Sequence, residues 1–295
     1  MMKSLTFESR YLNPLTDFGF HRLLGTESCK ELLIDFLNEV IKEEGLITDI
    51  QYCPSEQWGY SKNERRAIFD IFCTNEKGEY FIVEMQKAKQ MYFRDRSIFY
   101  ASLPVREQAP RGNWDYRLKA VYLVAVLDFV LFKEFKEDED HVIEYVHLAR
   151  ERTKTLYSDK LNFVFVELPK FKKTTEELKK NIDKWLYTLK NLSQLEERPA
   201  ALQGKIFEKL FQLAEVKELS KEDMKEYRKS ILNYQDVRDA VDLAREEGRE
   251  EGRDEGREEE KIVFIQKCLQ KNVAIDDIVF LTGFSKEKII QFTNK

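Results

Sequence analysis

Histidine, cysteine and long apolar runs are scarce in this 295-residue sequence, and each shortage removes a class of protein. The three histidines, His21, His141 and His147, show no HxxxH or HExxH spacing, so a histidine-based metal site has no support. Four cysteines, Cys29, Cys53, Cys73 and Cys268, are scattered and form no CxxC pair. That pattern speaks against a zinc site and against a disulfide framework, and the cysteines read as reduced, mostly buried thiols. No apolar stretch approaches the roughly 18–20 residues that span a bilayer. The opening MMKSLTFESR has no apolar segment of the kind a secretory signal carries, so the expectation is a cytoplasmic protein with no membrane partner. A basic excess is missing too, since the net charge is −5. Non-specific affinity for nucleic acid comes mainly from Lys and Arg neutralising phosphates, so a DNA partner needs a locally positive region.

What is present is a globular balance of 42% hydrophobic and 35% charged residues, which predicts a folded chain with a charge-rich surface. Its length exceeds the usual single domain of roughly 100–150 residues, which predicts one substantial core with helical material appended. Between 28 and 44, Leu32, Leu33, Phe36, Leu37, Val40 and Ile41 recur at helical spacing and Gly45 follows as a stop signal. LITDIQYCP reads as a short strand ended by Pro54, SEQWGYSKNE as a polar connection, and RRAIFDIFCT and EYFIVEMQ as the two strands of a hairpin around a Gly-containing loop of about four or five residues. Residues 90–108 look helical despite Pro104, while 118–132 and 161–168 are apolar runs suited to buried strands. From Thr174 the pattern turns helical, with Thr174 and Glu177 in capping-box spacing and Ser220 opening a further helix.

Residues 245–260, REEGREEGRDEGREEE, repeat with a period of four and contain no apolar residue. Acid-to-Arg pairs three apart favour helix and each glycine costs about 1 kcal/mol against alanine, so the segment reads as a marginal, solvated helical spacer. The last stretch has helical apolar spacing twice over with TGFS between, resembling a short helix-turn-helix. The expected organisation is a core over 1–170, a helical extension packed on it over 171–244, the charged spacer over 245–260 and a small helical tail over 261–295.

The chemistry is signalled by acids inside apolar strands: Asp70 in AIFDIF and Glu84 in YFIVEMQ. Buried carboxylates are costly unless paired, hydrogen-bonded or bound to a cation. Residues two apart in a strand share a face, which puts Glu84 beside Gln86 and sends Lys87 to the opposite face. A hairpin pairing residues whose numbers sum to 154 sets Asp70 opposite Glu84 on one face, whereas a sum of 153 separates them unless a bulge intervenes. Converging carboxylates offer the hard oxygen ligands that Mg²⁺ prefers, with the Met85 backbone carbonyl as a further ligand, and such a metal supports phosphodiester hydrolysis. Gln86 is then placed to orient the attacking water. The structural alternative is a salt bridge from Asp70 to Arg65, Arg66 or another buried cation.

Asp70 followed by Glu84-Met85-Gln86, behind an amphipathic helix, resembles the PD-(D/E)xK nuclease pattern in an E-x-Q variant. NPLTDFGFHRLLG (13–25), the IFDIF and FIVEMQ strands, RDRSIFYAS (94–102) and the EEGREEGR segment are similar to the recombination-promoting nuclease/putative transposase family over almost the whole chain. The resemblance implies an α/β (α+β), restriction-endonuclease-like fold with a mixed central sheet flanked by helices and a helical C-terminal extension. It also implies metal-dependent DNA cleavage that promotes recombination, with Mg²⁺ or Mn²⁺ as cofactor, Asp70, Glu84 and Gln86 in the active site, and Asp17 at the family's early acidic position. Gln86 stands where many superfamily members have lysine.

The charge objection has a local answer. Residues 85–119 carry Lys87, Lys89, Arg94, Arg96, Arg106, Arg111, Arg117 and Lys119 against Asp95, Glu107 and Asp115, an excess of five positive charges. Arg94, Arg96 and Tyr100 are candidates for DNA phosphate contact, with Arg96 and Tyr100 sharing a helix face. Two further readings remain: a catalytically inactive DNA-binding or regulatory transposase relic, and an interaction module whose tail assembles the chain into a homo-oligomer.

Overall fold

The computed structural model describes residues 9–41, 46–54, 56–57, 67–109, 112, 114–136 and 141–292. Gly45, Arg65, Arg66 and Arg111 lie outside the described residues. Helices α1 (Asp17–Leu24) and α2 (Lys30–Val40) precede the strands β1 (Ile50–Tyr52), β2 (Glu56–Gln57), β3 (Ala67–Ile68), β4 (Ile71–Asn75) and β5 (Tyr80–Gln86). Helix α3 (Phe93–Glu107) crosses over to β6 (Val121–Leu127), which is followed by β7 (Ile143–Ala149) and β8 (Leu156–Glu167). Helices α4 (Asn181–Asn191), α5 (Lys205–Ala214), α6 (Lys221–Gln270), α7 (Ile275–Thr282) and α8 (Lys286–Gln291) complete the chain.

Six strands form one mixed sheet in the order β1-β4-β5-β6-β8-β7. β5, β6 and β8 are parallel, and β1, β4 and β7 run antiparallel to their neighbours. All seven residues of β6 are buried, as expected of a central parallel strand covered on both faces. One face packs Phe81, Val83, Tyr122 and Val124 against α1, α2, α4 and α5 through Phe20, Leu33, Trp185 and Phe207. The other packs Phe72, Ile82, Leu123 and Phe165 against α3 through Phe93, Ala101 and Leu103. The architecture is the expected mixed central sheet flanked by helices, with a helical C-terminal region.

Three elements differ from the sequence reading. The connection after Pro54 contains β2, which pairs with β3 in a separate two-stranded ribbon. The stretch read as one strand, RRAIFDIFCT, is broken at Phe69–Asp70 between β3 and β4. β7 was not expected, because IEYVHLA interleaves polar and apolar residues and its side chains stay half-buried or exposed at the sheet edge.

Contacts divide the chain into two units between Arg238 and Asp239. In the first, the N-terminal part of α6 is tied to the core by hydrogen bonds from Asn13 N to the Tyr227 hydroxyl (2.9 Å) and from Phe18 N to Ser230 Oγ (3.1 Å). In the second, Ile265, Ile278 and Ile289 form a small core of their own. The period-four segment lies within α6, with exposed side chains in i,i+3 pairs such as Asp254 with Arg257 (3.6 Å).

Candidate active site

The hairpin register follows from its loop. Asn75 Oδ1 accepts from Lys77 N (3.0 Å) and Glu79 N (2.9 Å), Gly78 N donates to the Asn75 carbonyl (3.0 Å), and Gly78 takes a φ of +76°, a conformation that costs glycine little. The pairs Ile71 with Val83, Phe72 with Ile82 and Thr74 with Tyr80 all sum to 154. Continued by one residue, that register sets Asp70 opposite Glu84. Because Tyr80 and Ile82 pack on the α3 face, strand alternation puts Glu84 and Gln86 there as well.

Asp70 and Glu84 clasp each other's backbone. Met85 N donates to Asp70 Oδ2 at 2.7 Å and Asp70 N donates to Glu84 Oε1 at 3.2 Å. Gln86 Nε2 donates to Glu84 Oε2 at 3.2 Å. Glu84 is only 4% exposed, so loss of hydration and then the charge of Asp70 push its carboxyl up to about 8, against the pull of the Asp70 N–H, Arg96 and Gln86. Asp70 keeps solvent contact as a residue, yet its carboxyl is hemmed in by protein and is pushed up to about 6, by desolvation first and by Asp17 in addition. Lys87 and Arg96 pull it down.

Two adjoining carboxylates whose charges are mutually unfavourable and poorly hydrated suit a divalent cation, which would compensate both. The donor set is carboxylate and carbonyl oxygen, the preference of Mg²⁺ or Mn²⁺. Among the described residues, no group of three or more His, Cys, Asp or Glu side chains forms a closed metal cage. An open site of one or two carboxylates completed by water and phosphate is the arrangement Mg²⁺ ordinarily takes.

The other candidates separate. Asp17 opens α1, and its Oδ1 pairs with Lys87 Nζ at 2.8 Å while its Oδ2 accepts from Asn233 Nδ2 at 3.3 Å. Strand alternation stops with β5 at Gln86, and Lys87 lies close enough to Asp70 for its charge to act there. Arg96 sits over the rings of Phe93 (5.3 Å) and Tyr100 (5.5 Å), with Nη1 donating to Gln90 Oε1 at 2.5 Å. Its Nη2 is shut off from solvent and has no hydrogen-bond partner. Tyr100 in turn stacks edge-on against Phe69, next to Asp70, with centroids 5.3 Å apart. Arg94 points elsewhere: it pairs with Glu134 at 2.5 Å and lies 4.8 Å over the Phe132 ring.

Sequence reasoning missed Asp128, although the signal was the same as for Asp70, an acid set in the apolar run VLDFVL. Asp128 follows β6, its N–H donates to the Gln86 carbonyl (2.9 Å), and its Oδ2 accepts from the Tyr234 hydroxyl (2.7 Å) and Arg238 Nη1 (3.4 Å). It thereby ties the end of β5 to α6.

A mixed sheet flanked by helices, with two acids meeting at the end of a parallel strand, defines a nuclease-type α/β fold. The profile of the PD-(D/E)XK nuclease family transposases matches residues 14–244, and the chain belongs to that family. No curated protein and no solved structure matches it. No helix among the described residues is long and apolar enough to cross a membrane.

Proposed function

We propose that the protein is a metal-dependent DNA endonuclease that hydrolyses phosphodiester bonds and promotes recombination, working on DNA in the cytoplasm. The reading rests on one observation above all: the reciprocal clasp that holds Asp70 and Glu84 together in a site where their charges lack hydration. We assign the two carboxylates, with the Met85 backbone carbonyl, to Mg²⁺ or Mn²⁺. The bound cation would polarise the scissile phosphate and make an attacking water more acidic. Gln86, already anchored through Nε2 to Glu84, orients that water through its amide oxygen. Arg96 presents its unpartnered Nη2 to a non-bridging phosphate oxygen, and Tyr100 supports the guanidinium from below. Arg94, committed to Glu134, has no direct part in this assignment.

Gln86 in the lysine position favours a second reading, a DNA-binding relic without activity. Nicking of supercoiled plasmid separates the two. The endonuclease reading expects cleavage that requires Mg²⁺ or Mn²⁺ and is lost in Asp70→Ala protein that remains folded. DNA binding without cleavage, unchanged by metal or by the substitution, establishes the relic instead.

A further inference from the structure

The superfamily pattern ends in a lysine two residues after its second acid, and here that position holds a neutral amide, Gln86. A phosphoryl-transfer site without a nearby side-chain cation lacks one means of stabilising charge on the phosphate as the attacking oxygen adds. Lys87 is the next residue. Its side chain is 10% exposed, so its ammonium is held close to the protein rather than free in solvent. The strand that would fix its direction ends at Gln86, and residues 87–88 form a bend. Asp17 receives the ammonium at 2.8 Å and is itself steadied by Asn233.

An ammonium has three donors, and the single contact to Asp17 engages one of them. The pair stands at the same end of β5 as Asp70 and Glu84, and the Asp70 carboxyl feels the charges of both Asp17 and Lys87. A salt bridge serving only to dock α1 would have no need to stand beside the acids. Helix α1 is already fixed by Phe20, Leu23 and Leu24 in the core and by the approach of Gly19 to the Asn13 carbonyl, where a Cβ would fall 2.0 Å from the oxygen.

We propose that Lys87 supplies, from one position further along the chain, the cationic group that Gln86 cannot, with Asp17 as the residue that positions it. The inference rests on the endonuclease reading. In the reaction, a bond forms from water oxygen to phosphorus and the bond from phosphorus to one ester oxygen breaks. The attacking water gives up a proton to solvent and the leaving oxygen takes one up, so the products are a phosphomonoester and an alcohol. Lys87 stays protonated throughout. Its N–H groups donate to the phosphate oxygens on which negative charge grows.

The test compares the full-length wild type with Lys87→Met, Lys87→Arg and Asp17→Asn in plasmid nicking, and measures the Mn²⁺-induced rise in melting temperature of each without DNA. Lys87→Met is expected to lose about 10²-fold in kcat, the usual scale for one charge-stabilising donor. Its KM should change little and its Mn²⁺ response should persist. Lys87→Arg restores part of the rate, and Asp17→Asn, which breaks the same ion pair but leaves the ammonium, loses about tenfold. Cleavage by Lys87→Met within twofold of an active wild type overturns the proposal. So do equal losses in Lys87→Met and Asp17→Asn, which would mark the pair as structural, or loss of the Mn²⁺ response in Lys87→Met. An inert wild type that still binds DNA would instead remove the endonuclease reading, and this inference with it.

Discussion

Glu84 and Glu167 are both buried glutamates near the C-terminal ends of parallel strands, but they are neutralised in different ways. Glu167 is fully buried and has its own cation, Lys170, at 2.5 Å. Its other oxygen accepts from the Leu131 and Phe132 N–H groups, which fixes the chain leaving β6. Glu84 has only a backbone N–H and an amide as close partners, and its nearest charged companion is another acid. A buried carboxylate with a lysine supports structure, whereas one set against a second carboxylate keeps a place for a cation from outside.

Substitutions at the two glutamates should break this symmetry in opposite directions. Glu84→Gln, nearly isosteric, is expected to reduce cleavage by roughly 10³-fold or more, the scale of removing a group on which the transition state depends. The metal-free protein should not melt lower for it, since a poorly hydrated carboxyl beside Asp70 is replaced by a neutral group. Thermal melts beside a nicking assay read both effects, and a large drop in melting temperature would count against the comparison.

Lys170→Met makes the contrasting prediction. It leaves Glu167 buried without its cation and should lower stability by about 3–5 kcal/mol, measured by urea unfolding. A loss under 1 kcal/mol would show that the Glu167 pair is not the structural counterpart described above.

The same contrast runs through the arginines of α3 on a smaller scale. Arg96→Ala should reduce kcat/KM by roughly 10–10²-fold, because its unpartnered nitrogen is assigned to phosphate. Arg94→Ala removes an ion pair whose side chains are about half exposed, and should change stability by less than about 1 kcal/mol and cleavage by less than about twofold. Steady-state kinetics on the two variants decide the point, and equal losses would erase the distinction between them.

Much of the sheet was legible because the physics was local. The runs that became β5, β6 and the inner half of β8 are apolar on both faces, as buried strands require. The register was left between two sums because it depends on the Asn75 side chain organising the loop, a hydrogen-bond pattern that spacing alone does not reveal. β7 was illegible because an edge strand shares its pattern with a loop. The short helix α1 was hidden behind its glycine, whose purpose, close approach to the Asn13 carbonyl, is a tertiary contact.

The two central acids stood out as charges in apolar strands, and Asp128 and Glu167 carried the same mark without being singled out. What sequence could not supply was which buried acid has a cation of its own. Lys170 lies one turn beyond Glu167, while the partners of Asp17 and Asp128 come from Asn233, Tyr234 and Arg238, more than a hundred residues away.

The most direct test is calorimetric titration of Mn²⁺ into the metal-free wild type and into Glu84→Gln, without DNA. The account predicts a saturable binding heat in the wild type that is absent from the variant while its fold is retained. Identical binding in both proteins, or none in either, would contradict the claim that Asp70 and Glu84 are held together to receive a metal ion.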